Sequence, residues 1–257
     1  MRLYFKVGYF LLQVSVTGTK LGYRSKFNLK SIIATILVFL TAFISIIILI
    51  NVKKKSLVFE QQYFYFVCAD SSKKVSVLDN QKDYLKSIGG ASVTYYHLNN
   101  YYLVANVYLN IDDANEIKKN LSNNFTNASV LTVKSAKLSK DIKNKIKQDM
   151  NVLKFYKFLY NFNKEFQVLI MDYFSGELLE TNFVSDLIAK NLKFAEFRDN
   201  IKGDSKLEGV AREFAGLFAL QFSSFLNNFY IAKSKQNYVS AYYVGFVINY
   251  LEFYKSL

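Results

Sequence analysis

The sequence predicts an α+β protein with a membrane-spanning helix near its N-terminus, a four-stranded antiparallel sheet of βαββαβ order in its middle and a helical bundle at its C-terminus. Three observations lead to this prediction: an uncharged apolar run in residues 31–51, alternating strand and helix patterns in residues 61–135, and helical periodicity after residue 139. The chain has 257 residues, of which 51% are hydrophobic, and this is enough for buried cores.

The apolar run predicts a single transmembrane helix over residues 31–52. Its length of about twenty residues matches the hydrocarbon core of a bilayer. Lysines and arginines flank it on both sides and are more numerous before it, so residues 1–30 are expected in the cytoplasm. With residues 53–59 as a linker, the rest of the chain is expected outside a bacterial cytoplasmic membrane, anchored by one pass.

The charge distribution argues against a nucleic-acid partner. The net charge is +13, but residues 1–59 carry nine Lys and Arg and no acidic residue. Residues 60–139 come to +1 and residues 140–257 to +3. The excess therefore accompanies the membrane segment, where flanking cations are typical.

Residues 60–136 are predicted to form the sheet domain. Strand patterns occupy residues 61–69, 91–97 and 129–134, and a helix over residues 76–88 ends at two glycines. Within residues 101–121 the spacing of apolar residues changes from every second position to the 3.6-residue period of a helix. This change indicates a third strand followed by a second helix. Two sequences, LKSIGGASV and NLSNNFTNASV, each end a helix and begin the next strand with Ala-Ser-Val. This similarity indicates an internal duplication.

These two halves resemble the SPOR domain family of bacterial envelope proteins. Residues 101–108 occupy the place of the family's aromatic strand. The family's helix in the second half is matched at Asp112, Asp113, Ala114, Ile117 and Leu121. The end of its first half is matched at Leu85, Lys86, Gly89, Ala91 and Val93. The resemblance implies that a sheet face binds peptidoglycan glycan strands stripped of their stem peptides. With the membrane anchor and helical tail, it also implies a role at division or sporulation septa.

The expected binding face follows from strand alternation. If both helices cover one face of the sheet, residues out of phase with that core lie on the open face. Aromatic rings there would stack on sugars, and amides would bind hydroxyls. The candidate glycan-binding residues are Phe64, Phe66, Thr94, Tyr96, Tyr102, Val104 and Asn106. Covering of this face by the C-terminal helices is the alternative.

Residues 140–257 are predicted to form a helical bundle. Residues 141–174 read as one long amphipathic helix or a kinked pair, followed by helices over residues 183–201, 206–231 and 235–254. Ser205 and Glu208 have the spacing of a capping box. The aromatic residues at helical spacing are expected in the core, with a partner-binding groove as the alternative.

No catalytic, metal or cofactor site is predicted. Cys68 and His97 are the only cysteine and histidine, so they provide neither a disulfide nor a histidine cluster. A nucleophile paired with a base and a glycine-rich phosphate loop are also missing from the sequence. The expected function is therefore non-enzymatic, without a cofactor.

Three functions fit these observations. The first is glycan binding at septa by a membrane-anchored envelope protein. The second is a structural scaffold that docks a membrane, divisome or sporulation partner through its helical domain. The third is RNA binding on an RRM-like sheet, which the near-neutral sheet domain and its expected location outside the cell disfavour.

Overall fold

The computed structural model describes the backbone of two short strands near the N-terminus and the whole of residues 59–257. β1 (Arg2–Val7) and β2 (Phe10–Ser15) pair antiparallel, with Arg2 opposite Ser15 and Val7 opposite Phe10. The predicted membrane span of residues 31–52 lies outside the described residues. Among helices in the part of the chain that is described, none has both the length and the apolar character needed to cross a bilayer.

Residues 59–257 belong to one compact unit. Its first part has the predicted βαββαβ order, which the structure confirms. The elements are β3 (Tyr63–Ser72), α1 (Val75–Ser87), β4 (Val93–His97), β5 (Asn100–Tyr108), α2 (Ile111–Leu121) and β6 (Ser129–Lys134). The four strands pair antiparallel in the spatial order β4-β5-β3-β6.

Helices α1 and α2 pack on one face of this sheet, here called the α1/α2 face. The contact is a small apolar cluster of Val67, Ala69, Leu78, Leu85, Leu103, Ala105, Ala114, Leu121 and Phe125. Asn110 caps α2 by accepting a hydrogen bond from the Asp112 backbone N–H, and two aspartates lie in the first turn of the helix.

Five helices complete the unit: α3 (Lys140–Gln148), α4 (Met150–Ser175), α5 (Glu180–Asn200), α6 (Lys206–Phe229) and α7 (Lys235–Ser256). The break between α3 and α4 makes residues 141–174 a kinked pair. Asp149 causes the restart, because its carboxylate accepts from the backbone N–H groups of Asn151 and Val152, both at 2.9 Å. The capping box at Ser205 and Glu208 is confirmed.

The second face of the sheet, here called the bundle face, is covered by α4 and α7. Phe64 of β3 contacts Tyr250 of α7, with ring centroids 5.5 Å apart in an edge-to-face arrangement. Gln62 accepts a hydrogen bond from the Asn163 side chain of α4 at 3.2 Å. Sheet and bundle therefore share one large hydrophobic cluster.

The expectation of an open sheet face is thus wrong for this unit. The aromatic residues on β3 that were expected to meet a ligand instead meet the aromatic residues of the bundle. Removing this large apolar area from water stabilises the packed arrangement, and edge-to-face ring pairs add to it. The alternative, in which the C-terminal helices cover the face, is the one that the structure has.

Phe66→Ala should show how much this interface contributes to the free energy of unfolding. Phe66 is fully buried on the bundle face, so its truncation leaves a cavity and should cost about 3–5 kcal/mol in the free energy of unfolding. Denaturant unfolding monitored by far- and near-ultraviolet circular dichroism measures this loss. The matched control is Tyr63→Ala on the same strand, where the side chain is 45% exposed and the cost should stay within about 1 kcal/mol. Equal costs for the two variants would contradict the interface.

Alkaline pH should unfold the chain steeply, because burial raises the pKa of Tyr95 and Tyr254 to about 12. Burial also raises the pKa of Tyr156, Tyr242 and Tyr250 well above the ordinary value. Unfolded tyrosines lose their protons near pH 10 while these keep theirs, so each should remove up to about 1.4 kcal/mol of stability per pH unit between about pH 10 and pH 12. Urea midpoints measured against pH test this. Tyrosinate absorbance from these buried rings in a still-folded chain at about pH 10 would contradict it.

Candidate functional site

The seven predicted glycan-binding residues do not share a face. Phe64, Phe66 and Val104 lie on the bundle face and are fully buried. Tyr102 is half-buried against the same cluster. For these residues the predicted phase was right, but the bundle covers them, so they are not accessible to a ligand in this structure.

Thr94 and Tyr96 lie on the opposite, α1/α2 face. Val93 pairs with Val104 and Tyr95 with Tyr102, and directly paired residues share a face, so Val93 and Tyr95 take the bundle side. The expected phase of β4 is therefore wrong. Both faces of this strand carry apolar groups, and alternation alone does not distinguish them. Tyr96 is 56% exposed, and its ring lies 4.9 Å from that of Tyr101.

Asn106 also lies on the α1/α2 face, because β5 contains a bulge. Val67 pairs with Asn106 but the next residue, Cys68, pairs with Val104, which leaves Ala105 without a partner. One extra residue reverses the alternation. Asn106 consequently turns away from the bundle, whereas its neighbour Val107 is buried in the bundle cluster. No glycine or proline marks this bulge in the sequence.

Asn106 lines a cleft of about 410 Å³ between the α1/α2 layer and the ends of two bundle helices. This volume lies in the range usual for small-molecule sites. Its walls come from α1, β5 and α2, from the C-terminal end of α4 and from the N-terminal end of α7. The lining residues are Leu85, Ile88, Gly89, Gly90, Ala105, Asn106, Tyr108, Ile117, Asn120, Leu121, Asn124, Phe174, Gln236 and Ser240.

Gly89, the first of the two glycines after α1, lies close to the start of α7. Gly89 has a φ of 93°, a left-handed conformation that ends the helix. A Cβ at this position would stand 3.4 Å from the Gln236 side-chain amide. Asn237 donates a hydrogen bond to the carbonyl of Lys86, which ties the start of α7 to the end of α1. Both walls of the cleft are therefore fixed to each other.

Hydrogen-bonding groups in the cleft are amides and hydroxyls. Asn106 donates to the Tyr108 hydroxyl at 3.2 Å and accepts from the Val107 N–H at 2.9 Å. Asn124 accepts from the Tyr84 hydroxyl at 2.8 Å, which leaves its own N–H groups to face the cleft or solvent. Asn120 and Gln236 are exposed at the rim.

Ser240 is the polar group at the base of the cleft. Ser240 is 2% exposed and belongs to the lining of the cleft. A serine hydroxyl can both donate and accept hydrogen bonds. A ligand that fills the cleft would lie next to this residue.

The cleft carries no charged side chain among its lining residues. Burial raises the pKa of Tyr108 to about 12, although the hydrogen bond from Asn106 acts in the other direction. The phenol is therefore neutral at ordinary pH. A ligand bound here would meet dipoles and apolar surface, without a lysine or arginine to pair with phosphate or carboxylate.

A larger cleft of about 650 Å³ lies between α3 and the N-terminal ends of α4 and α6. Its carboxylates are already engaged in helix capping. Asp149 caps α4, and Glu208 accepts from the Ser205 N–H at 2.9 Å. The geometry assigns these groups to structure.

Cys68 and His97 occupy positions without catalytic partners. Burial raises the pKa of the Cys68 thiol to about 12, so it is a neutral core group. Burial, and then the nearby Lys255, lower the pKa of His97. Across the described residues, no group of three or more His, Cys, Asp or Glu side chains is close enough to hold a metal ion.

Searches of protein-family models, curated protein sequences and solved structures found no match to this chain.

Proposed function

We propose that this chain is a non-enzymatic, membrane-anchored cell-envelope protein that binds an uncharged glycan in the cleft lined by Asn106 and Ser240, rather than on the sheet face. The observation that carries the proposal is the lining of that cleft. It combines four side-chain amides and a buried hydroxyl with aromatic surface and no charge.

This lining matches the chemistry of a sugar ring. Amide side chains donate and accept at once, so each can bind hydroxyls or the acetamido group of an N-acetylated sugar. Phe174 is half-buried at the edge of the cleft and offers an aromatic face to the apolar side of a ring. A phosphorylated or carboxylated ligand would instead be expected to meet cations.

The predicted chain organisation supports the same substrate class. The resemblance of residues 85–93 and 101–121 to the SPOR family implies binding of peptidoglycan glycan strands. The predicted span of residues 31–52, with the N-terminus inside, would present the folded unit to the cell wall. Binding of septal glycan would then concentrate the protein at division or sporulation sites.

A second candidate function is a scaffold that docks a protein partner through its helices. The observation that favours it is an exposed apolar tip, formed by Leu179, Tyr230 and Ile231 at 68%, 61% and 77% exposure. The two loops of the tip are held together by Lys235, which pairs with Glu180 at 2.5 Å and lies over the Tyr230 ring. Apolar groups held at a fixed tip are typical of a protein contact.

Removing two cleft amides should weaken glycan binding by the full-length chain. Asn120→Ala combined with Gln236→Ala removes exposed rim amides, so folding should be unaffected. With about 1 kcal/mol lost for each hydrogen-bonding group, the Kd should rise roughly tenfold or more. Calorimetry with N-acetylglucosamine oligomers and retention on amidase-treated cell-wall sacculi measure the change.

The matched control removes two exposed asparagines away from the cleft, by Asn115→Ala and Asn182→Ala. This control should bind as tightly as the original chain. If neither oligomer nor sacculus is bound by the original chain, glycan binding is wrong. If binding occurs but is equally strong in both double variants, the cleft is not the site.

A further inference from the structure

The positive charge of the folded unit is concentrated in one segment. Residues 60–257 carry 24 basic and 20 acidic side chains, and residues 134–157 alone hold eight lysines and two aspartates. The remainder of residues 60–257 is therefore slightly acidic.

These lysines lie in consecutive elements of the chain, whose exposed part is here called the basic surface. It consists of the end of β6, the link to α3, α3 itself and the first turns of α4, with Lys134, Lys137, Lys140, Lys143, Lys145, Lys147, Lys154 and Lys157. Ile146 anchors α3 in the core with no exposed area, so the lysines of this helix point outward or lie at its margin.

Few of these charges are neutralised by neighbours. Within the described residues, Lys145 alone of the eight forms a salt bridge, with Asp141 at 2.9 Å. The second carboxylate in the segment, Asp149, is engaged in capping α4. Lys134 and Lys147 lie over the rings of Tyr63 and Phe59, at 4.9 and 5.7 Å from the centroids. Most lysines of the basic surface are therefore available to an external anion.

Phe59, the first described residue of the folded unit, lies beside the basic surface. Phe59 packs against Tyr156 of α4, with centroids 6.4 Å apart, and lies under Lys147. Seven residue steps separate residue 52 from residue 59, which covers at most roughly 25 Å of extended chain. Three further lysines, Lys53, Lys54 and Lys55, fall within this connection.

We propose that the basic surface docks on the anionic phospholipid headgroups of the membrane in which the chain is anchored. The proposal rests on the predicted span and adds a second, electrostatic contact that fixes the orientation of the folded unit. Lysine is suited to this partner, because its ammonium group is a compact point charge that needs no fixed bidentate geometry. It can therefore pair with anionic headgroups that are not held in one orientation. The 62% exposed Met150 beside α3 adds an apolar group at the interface.

Nearness to the membrane favours lipid over nucleic acid as the partner. A tethered surface experiences a high effective concentration of its own bilayer, so weak individual contacts suffice. Each lysine near an anionic leaflet contributes about a fivefold factor to binding. The short connection allows several of them to reach the headgroups at once.

The test measures the distance from the basic surface to the bilayer in the full-length chain reconstituted in vesicles. Asn144→Cys, exposed on α3, carries a fluorophore, and the natural Cys68 is buried and should not be labelled. Energy transfer to headgroup-labelled lipid should be higher in vesicles containing phosphatidylglycerol than in phosphatidylcholine alone. The difference should vanish near 1 M salt, where the Debye length is about 3 Å.

Charge removal provides the matched comparison. Lys140→Gln, Lys143→Gln and Lys147→Gln together should lower the ratio of docked to undocked protein about a hundredfold. Lys73→Gln, Lys119→Gln and Lys233→Gln remove the same charge from exposed positions elsewhere and should leave the ratio nearly unchanged. A label at Thr181→Cys, at the start of α5, should not respond to lipid charge.

Equal energy transfer in neutral and anionic vesicles would overturn the proposal, as would equal effects of the two lysine sets. If lipid charge has no effect but the original chain shifts double-stranded DNA in a gel and the α3 variant does not, the surface serves nucleic acid and lipid docking is wrong. Resistance to alkaline extraction reports the predicted span separately, and sacculus retention reports glycan binding. A failure of lipid docking, of the predicted span or of glycan binding can therefore be told apart.

Discussion

The packing of the sheet against α4 and α7 is the contact on which the rest of this structure depends. It buries Phe64, Phe66 and Tyr250 in one cluster with the aromatic rings of the bundle. Without it the sheet would expose a broad apolar face, and the bundle would lose one of its walls. Since α1 and α2 already cover the other face, the sheet is the middle layer of the unit. Burial on both sides explains why its strands carry apolar side chains in both phases.

This arrangement moves the accessible chemistry to the periphery. A ligand cannot reach the bundle face, so the places open to one are the clefts at which elements meet. The amide-lined cleft forms where the end of α1 meets the start of α7, and it exists because the sheet and the bundle are fixed together. The basic surface lies at α3, where the chain passes from the sheet into the bundle. The amide-lined cleft and the basic surface thus both lie outside the shared aromatic cluster.

The order of elements could be predicted from the sequence, because each helix and strand has its own periodicity and its own end signals. The capping box at Ser205 was predicted from local chemistry, and the structure confirms it. For residues 141–174 the sequence left one long helix and a kinked pair open, and the cap at Asp149 makes it the kinked pair. The faces could not be assigned in the same way. β4 is apolar on both sides, and the bulge at Ala105 reverses the phase of Asn106 without any marker residue. Both features depend on the register between neighbouring strands, and the sequence of one strand does not determine that register. The cleft depends on a contact between residues 86 and 237, which are distant in sequence.

Native-state hydrogen exchange tests most directly whether sheet and bundle form one structure. The slowest amides of β3 and of α7 should exchange with the same free energy, equal to that of global unfolding, because neither element can open without exposing the shared aromatic cluster. Mass spectrometry of peptic fragments in low denaturant measures both segments in one sample. If α7 exchanges through a much cheaper opening while β3 stays protected, the bundle is only loosely attached and the sheet face becomes accessible, which would contradict this account.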